Sequence, residues 1–485
     1  MAKPSERSSG RHRNVDDDSV ALVRTIGFFH CVGVLLGCVV GTAIFLSPTA
    51  ILRGVGGSVG WSYVIWIASC ILGSMEAMSF AELGSSHPKS GGEFIYIKES
   101  FGPLLAFLRV WTNVLIMSPA MAALQTMVIG TYIVTPFLGD CQEPLYGAVR
   151  LLAACVMFLI FFINCTSVPL TVRIQSFLTV SKIFGLAVLI GSGLILLFNG
   201  HTDSFRNPFH VNQFQFGGLA SAFMAGRYAF GGWAILNNLT EEIKNPEKNL
   251  PRSIFVTLLL VFTIYMMANI TYLTAMTAEE MLASDAVAVI FAKRTLGSWS
   301  WVIWVSVVLC AAGQLNGASL SRARMYFVAA REGALPEVLS LVHVRWKTPL
   351  PAAAVTLPLS LIMLCFGNIY SLIDYMMCVD TLFTVLSVAS IFYFRRKLPD
   401  LPRPYKVYLI VPGMFIFFNL IIVGMAFYDR PFEAVLGIVT TIIGIPFYLF
   451  SRRKNRSNRI QLYMEKWNRF MQKITLSVKQ ERKTF

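Results

Sequence analysis

Twelve apolar segments follow one another along the 485 residues, and the first is interrupted at its centre. Residues 29–52 read FHCVGVLLGCVVGTAIFLSPTAIL. A helix of roughly 20 apolar residues crosses a bilayer, so the segment is long enough. Near its middle sit Gly41-Thr42-Ala43, with Ser47-Pro48 just beyond. The sixth segment, 217–238, carries a second interruption at Phe230-Gly231-Gly232. A helix that unwinds in lipid must find other partners for its freed amides and carbonyls. Glycines in spans also serve close helix packing. Two interruptions at corresponding places point instead to the binding site of a transporter, where substrate is one of those partners.

Composition agrees. With 55% hydrophobic residues, 14% charged residues and a mean hydropathy of +0.62, an ordinary soluble globular protein is excluded. The net charge of +15 could suggest nucleic acid, but its placement does not. Residues 451–485 hold 11 Lys/Arg against 2 Glu, and the loop after the tenth segment reads RRKLPDLPRPYK. Loops at 89–98, 244–252 and 331–347 are also basic, and the alternate loops are poorer in Lys and Arg. The positive-inside rule then places both termini in the cytoplasm, which requires an even number of spans. Expected spans are 29–52, 60–82, 101–136, 148–166, 175–198, 217–238, 251–274, 298–320, 350–367, 370–394, 407–428 and 432–450, the third long and tilted. The fold class is therefore an all-α membrane protein. Residues 1–24 form a cytoplasmic tail, 25–451 the transmembrane domain, and 452–485 a basic cytoplasmic tail. The polar N-terminus is not a cleavable signal peptide, so the first span serves as the insertion signal. In the C-terminal tail, Ile460, Tyr463, Met464, Trp467, Met471 and Ile474 share one helical stripe among basic residues, an amphipathic helix for the lipid surface.

Most of the nine cysteines lie in apolar segments, where a thiol acts as a small hydrophobe. Cys141 instead stands in the polar turn LGDCQEP on the expected outer face. The residues alone leave two readings open, an intermolecular disulfide or a free surface thiol. Enzyme chemistry finds no support. The six histidines make no metal spacing, and no cofactor motif is present. GxSxG at 56–60 lacks a strand-to-helix setting and reads as chance. Sequons at Asn164, Asn238 and Asn269 lie in or beside spans, where no glycan is expected.

Three stretches carry a family resemblance: AELGSSHPKSGGEFIY (81–96), TEEIKNPEKNLPRSI (240–254) and FVAAREGALPEVLSLVHVRWKTPLPA (327–352). The first resembles the loop after span two in the amino acid-polyamine-organocation superfamily. The others are similar to the light subunits of heteromeric amino acid transporters, the L-type group, over about 25–451. Within that group the loops read nearest the cystine/glutamate exchanger. The resemblance implies two inverted five-helix repeats, spans 1–5 and 6–10, with helices one and six discontinuous and helices 11 and 12 outside the repeat. It implies a plasma-membrane antiporter bound through Cys141 to a single-pass type II glycoprotein heavy chain. Ser477-Val478-Lys479-Gln480-Glu481 stands where light chains often carry a Val-Pro-acidic pattern, and the Pro is missing.

The expected site follows from the substrate's two charges. Bare amides at a half-helix N-terminus suit a carboxylate, and freed carbonyls suit an ammonium. By position Thr42 and Ala43 supply amides, while Gly41, Tyr228, Ala229 and Gly231 supply backbone groups around the amine, Tyr228 also as an aromatic gate. Ala43 departs from the family's Gly-x-Gly. Ser118 and Asp380 stand where the cystine/glutamate exchanger holds arginines, so anionic substrates are not expected. Gln125, Met121 and Thr381 are further lining candidates. Arg227, Asp380 and Glu76 are charges inside spans, where an Arg costs about 2.5–3.5 kcal/mol and must face a cavity or partner. If Arg227 pairs with Asp380 the pocket is neutral and suits large neutral or aromatic side chains, as in the family's aromatic-preferring member. If Asp380 is unpaired, lysine or arginine is admitted. Lys182, in FLTVSKIFGLAV, stands where sodium-coupled relatives hold an ion between spans one, five and eight, which implies sodium-independent exchange. A transport-inactive interaction partner is the other class, suggested by Ala43, Arg227 and Asp380.

Overall fold

The computed structural model describes residues 25–87, 89–134, 146–210, 216–283, 287–365, 369–429, 431–452 and 458–479. Cys141 lies outside the described residues. Helices occupy all twelve expected places. Span one is Phe28–Val39 and Ala43–Gly54, bent by 40° at its break, and span two is Val59–Ser86. Span three is Pro103–Val134, span four Tyr146–Thr166 and span five Val168–Phe198. Span six is Phe216–Ala229 and Ile235–Asn238, span seven Pro246–Ala275 and span eight Trp301–Arg331. Span nine is Leu350–Cys365, span ten Ile369–Lys397, span eleven Ile410–Asp429 and span twelve Pro431–Ile442 plus Gly444–Arg452. Among the described residues, eight helices are long and apolar enough to cross a membrane, or nine with the bent span one. Span six falls short because it unwinds over 230–234. Spans nine and twelve are shorter apolar helices interrupted near Val355 and Ile443. The result is a multi-span helical transporter fold with its broken helices at positions one and six.

Two features add to the sequence expectation. A separate helix, Glu93–Phe101, precedes span three and is ended by Gly102 at φ 97°. Asn113–Met117 then widens into a π-helical turn, which rotates the face presented by Ser118 and everything after it. The C-terminal helix runs Asn458–Thr475, and Ser477–Lys479 (β2) leaves it to pair antiparallel with Leu341–His343 (β1) in the loop after span eight. Lys479 and Asn468 both reach Glu337 there, so the tail is pinned to that loop.

Packing explains how the broken helices come together. The second half of span one lies against the first half of span six with bare backbones in contact. A Cβ on Gly54 would sit 2.4 Å from the Gly218 carbonyl, and one on Gly218 would sit 2.5 Å from that of Gly54. Lipid offers no hydrophobic drive between helices, so such small-residue contacts supply the dispersion that holds them. Large apolar side chains such as Phe158, Phe162, Phe177, Phe184, Leu259 and Phe417 point outward and form the lipid-facing surface. Toward the termini, buried or half-buried ion pairs cross between helices: Arg324 with Glu242, Arg331 with Glu241 and Arg395 with Glu82. Residues 25–26 close the same side, hydrogen-bonding along 242–244.

Candidate substrate site

The break in span one exposes backbone groups in the middle of the protein, and several of them meet side chains. Lys182 Nζ, on span five and 1% exposed, donates to the carbonyls of Gly37 (2.8 Å), Val40 (2.6 Å) and Cys310 (3.4 Å). An ammonium carries three protons and so satisfies all three acceptors. The carbonyl of Val39 accepts from the Tyr265 hydroxyl at 2.8 Å, and that of Gly41 from the Cys310 thiol at 3.3 Å. The Thr42 amide donates to Gln314 Oε1 of span eight at 3.0 Å. Gly41 leaves room for that amide: a Cβ would fall 2.2 Å from the Gln314 side chain, which would have to move. Ala43 opens the second half-helix, whose first amides have no acceptor within the helix.

Span six meets this break through Tyr228. Its hydroxyl lies 2.8 Å from Thr42 Oγ1, which in turn donates to Gln314 Oε1 at 3.0 Å. Since Thr42 Oγ1 spends its one proton on Gln314, Tyr228 is the donor to Thr42. Past Ala229, Gly232 turns the chain at φ 99°, a left-handed conformation that favours glycine, and Gly231 approaches the Arg227 carbonyl. Thr42 and Tyr228 thus join the two breaks directly, with Gly41 and Ala43 flanking the one and Ala229 and Gly231 the other in sequence. Met121, Leu315, Leu364 and, partly buried, Met377 and Tyr228 form one apolar cluster beside them. Gln125, 2% exposed on span three, keeps its Oε1 without a hydrogen-bond partner among the described residues.

The sequence left open whether Arg227 pairs with Asp380, and in the structure the two have different partners. Arg227 turns away from the break, donating to Glu76 at 2.9 Å, to Thr381 Oγ1 at 2.8 Å and to Asn419 at 3.5 Å. It also lies over the Phe415 ring. Asp380 accepts from Arg109 of span three at 2.6 Å, and Arg109 binds Glu93 with its other edge. Nor is positive charge absent near Ser118. Arg322 of span eight reaches Ser118 Oγ at 3.1 Å. Arg109, Arg322, Gln314 and Glu93 are polar partners of these residues that the sequence reading missed. The signal existed, because each is a polar or ionisable residue inside or beside an apolar run.

A model of amino acid permeases matches residues 26–448. The chain belongs to the amino acid permease family. Human cystine/glutamate transporter is 39% identical over 477 residues, covering 98% of this chain and 95% of that protein. The mouse large neutral amino acids transporter small subunit 2 is 38% identical, over 88% of this chain and 81% of its own. Human Asc-type amino acid transporter 1 is 36% identical, over 93% and 87%. This permease is therefore an amino acid transporter rather than an enzyme, and the L-type light-subunit resemblance holds over nearly its whole length. The three relatives are named for different substrates, so selectivity has to be argued from this chain's own pocket.

Proposed function

We propose that the permease is a sodium-independent exchanger of neutral L-amino acids, large or aromatic side chains first, working by alternating access as the light chain of a disulfide-linked heterodimer in the plasma membrane. The disposition of charge carries this reading. Glu93, Asp380, Arg109 and Arg322 sum to zero, the Lys182 ammonium is spent on three backbone carbonyls, and Arg227 is consumed by Glu76. A neutral side chain against the Met121, Leu315 and Met377 wall leaves that balance undisturbed. An acidic one brings a further negative charge beside Asp380, and a basic one beside Arg109, in a low-dielectric site where like charges repel strongly. The substrate carboxylate meets the amides of Thr42 and Ala43, and the ammonium meets carbonyls at the two breaks. Lys182 fills the place of a coupling cation, holding spans one, five and eight without sodium.

A second reading rests on Arg322. It has a hydroxyl but no carboxylate as partner among the described contacts, so it could receive an acidic side chain directly. Competition decides between them. With a heavy chain co-expressed, phenylalanine and leucine should displace a labelled amino acid far better than glutamate, cystine or lysine. Arg322→Gln should leave that order unchanged. Strong glutamate or cystine exchange, lost about tenfold or more in Arg322→Gln as expected for a broken charged hydrogen bond, would replace the neutral reading with the acidic one. A chain that reaches the surface and moves no amino acid would support the transport-inactive class.

A further inference from the structure

Gln314 stands in the place assigned to the substrate. It is about nine-tenths buried, and its Oε1 accepts two hydrogen bonds from one residue, the Thr42 amide and the Thr42 hydroxyl, both at 3.0 Å. Those donors head the second half of span one. The Thr42 hydroxyl is bonded in turn to Tyr228 of span six. A planar, sp² oxygen delivered from span eight thus closes spans one, six and eight into one hydrogen-bonded chain. Gly41 has no side chain where the Gln314 amide passes, so the fit is steric as well as polar.

We propose that Gln314 is a built-in surrogate for the α-carboxylate of the substrate. In the empty permease its Oε1 occupies the carboxylate's donors, and an arriving amino acid displaces it. This rests on the reading that the carboxylate docks at Thr42–Ala43. The exchange of partners is balanced in hydrogen bonds: Gln314 releases two donors and the carboxylate accepts them. The substrate prevails when present because a charged acceptor makes roughly twice as strong a bond as a neutral amide oxygen. In its absence the tethered amide is always at hand.

Two consequences follow. The first concerns affinity. Part of the empty population holds Gln314 on Thr42, so apparent substrate affinity is lowered by the fraction that is competent. The second concerns coupling. In a strict exchanger the empty site cannot close, because its break would be left with unsatisfied amides in a dry interior. Here Gln314 satisfies the Thr42 amide and hydroxyl, and the Tyr228–Thr42 bond that closes span six onto span one is already formed. The empty permease can therefore change faces, and one-way movement of substrate accompanies exchange.

The test uses the full-length chain in membrane vesicles loaded with the best competitor of the panel above, labelled phenylalanine being the expected one. Efflux is measured into substrate-free buffer and into buffer with excess unlabelled amino acid. Wild type should show measurable efflux into substrate-free buffer. Gln314→Ser should lower that one-way efflux relative to exchange, and lower the KM, each by about fivefold to tenfold, the size of one or two exchanged hydrogen bonds. Gln314→Glu is isosteric but places a tethered carboxylate on the same donors, so its KM should rise by a similar factor or more. Opposite shifts in two variants at one position are not expected of a residue that only packs. Gln314→Asn, one methylene shorter, serves in place of the serine variant if the latter fails to reach the membrane. Unchanged KM and an unchanged ratio of one-way efflux to exchange in both variants would overturn the surrogate role. The methyl ester and the amino alcohol of the same substrate separate the two levels. If they compete as well as the acid, the docking of the carboxylate at Thr42 fails and the surrogate with it. If they do not compete and the variants are silent, Gln314 alone is wrong.

Discussion

At the residue scale, the cost of intramembrane charge decides how Arg227 and Asp380 are used. An unpartnered Arg in a span costs about 2.5–3.5 kcal/mol, and an unpaired buried carboxylate costs several. Arg227 meets this with Glu76, which is 4% exposed, and with Thr381 and Asn419. Asp380 meets it with Arg109, which Glu93 also binds. The two networks stand side by side on span ten, at Thr381 and Asp380. Removing one partner of a buried pair leaves the other uncompensated, worth about 3–5 kcal/mol. Arg227→Leu should therefore lower thermal stability in detergent strongly, and Glu76→Gln added to it should restore most of the loss. Arg227 and Asp380 should behave nearly independently, with a coupling below about 0.5 kcal/mol in a double-mutant cycle. A larger coupling between them than between Arg227 and Glu76 would contradict these pairings.

At the scale of elements, the broken span one is held by what spans five, seven and eight bring to it. Lys182 binds carbonyls of two helices with one ammonium, and Tyr265 and Cys310 take the neighbouring ones. The break thus already holds one buried positive charge, the Lys182 ammonium. Replacing sodium by choline should leave uptake almost unchanged. Lys182→Met should abolish uptake, because it strands the carbonyls of Gly37 and Val40 at about 1–3 kcal/mol each. A large fall of wild-type uptake on sodium removal would overturn the assignment of Lys182 as the ion's substitute. The C-terminal tail follows the same logic of paired groups. Strand β2 satisfies its backbone on β1, so the tail is attached by main-chain bonds as well as by the ion pair of Lys479 with Glu337.

At the scale of the whole molecule, the outward apolar surface and the basic ends fit a protein surrounded by lipid, with its terminal side sealed by ion pairs between helices. Cys141 is the proposed attachment point for a heavy chain. Co-expressed with a suitable single-pass glycoprotein, the wild type should run as a high-mass band on non-reducing gels, and Cys141→Ser should collapse it. Wild type running as a monomer under those conditions would remove the heterodimer from the proposal.

The class of molecule was legible in the order of residues alone. Apolar run length marked the spans, and small residues at 41–43 and 230–232 marked the breaks, because a lipid-facing helix tolerates few other compositions there. The residue order also put Lys182 in an apolar setting, and the structure sets that ammonium on spans one and eight. The partner of each polar group was not legible. Arg109 and Asp380 are 271 residues apart, Arg227 and Glu76 151, and Thr42 and Gln314 272. Helical periodicity fixes which residues share a face of one helix. It does not fix how neighbouring helices are rotated and slid against each other, and the π-helical turn at 113–117 shifts span three's faces again. It took the packed bundle to set Arg227 on Glu76, to bring Arg322 to Ser118, and to lay Gln314 on the Thr42 amide.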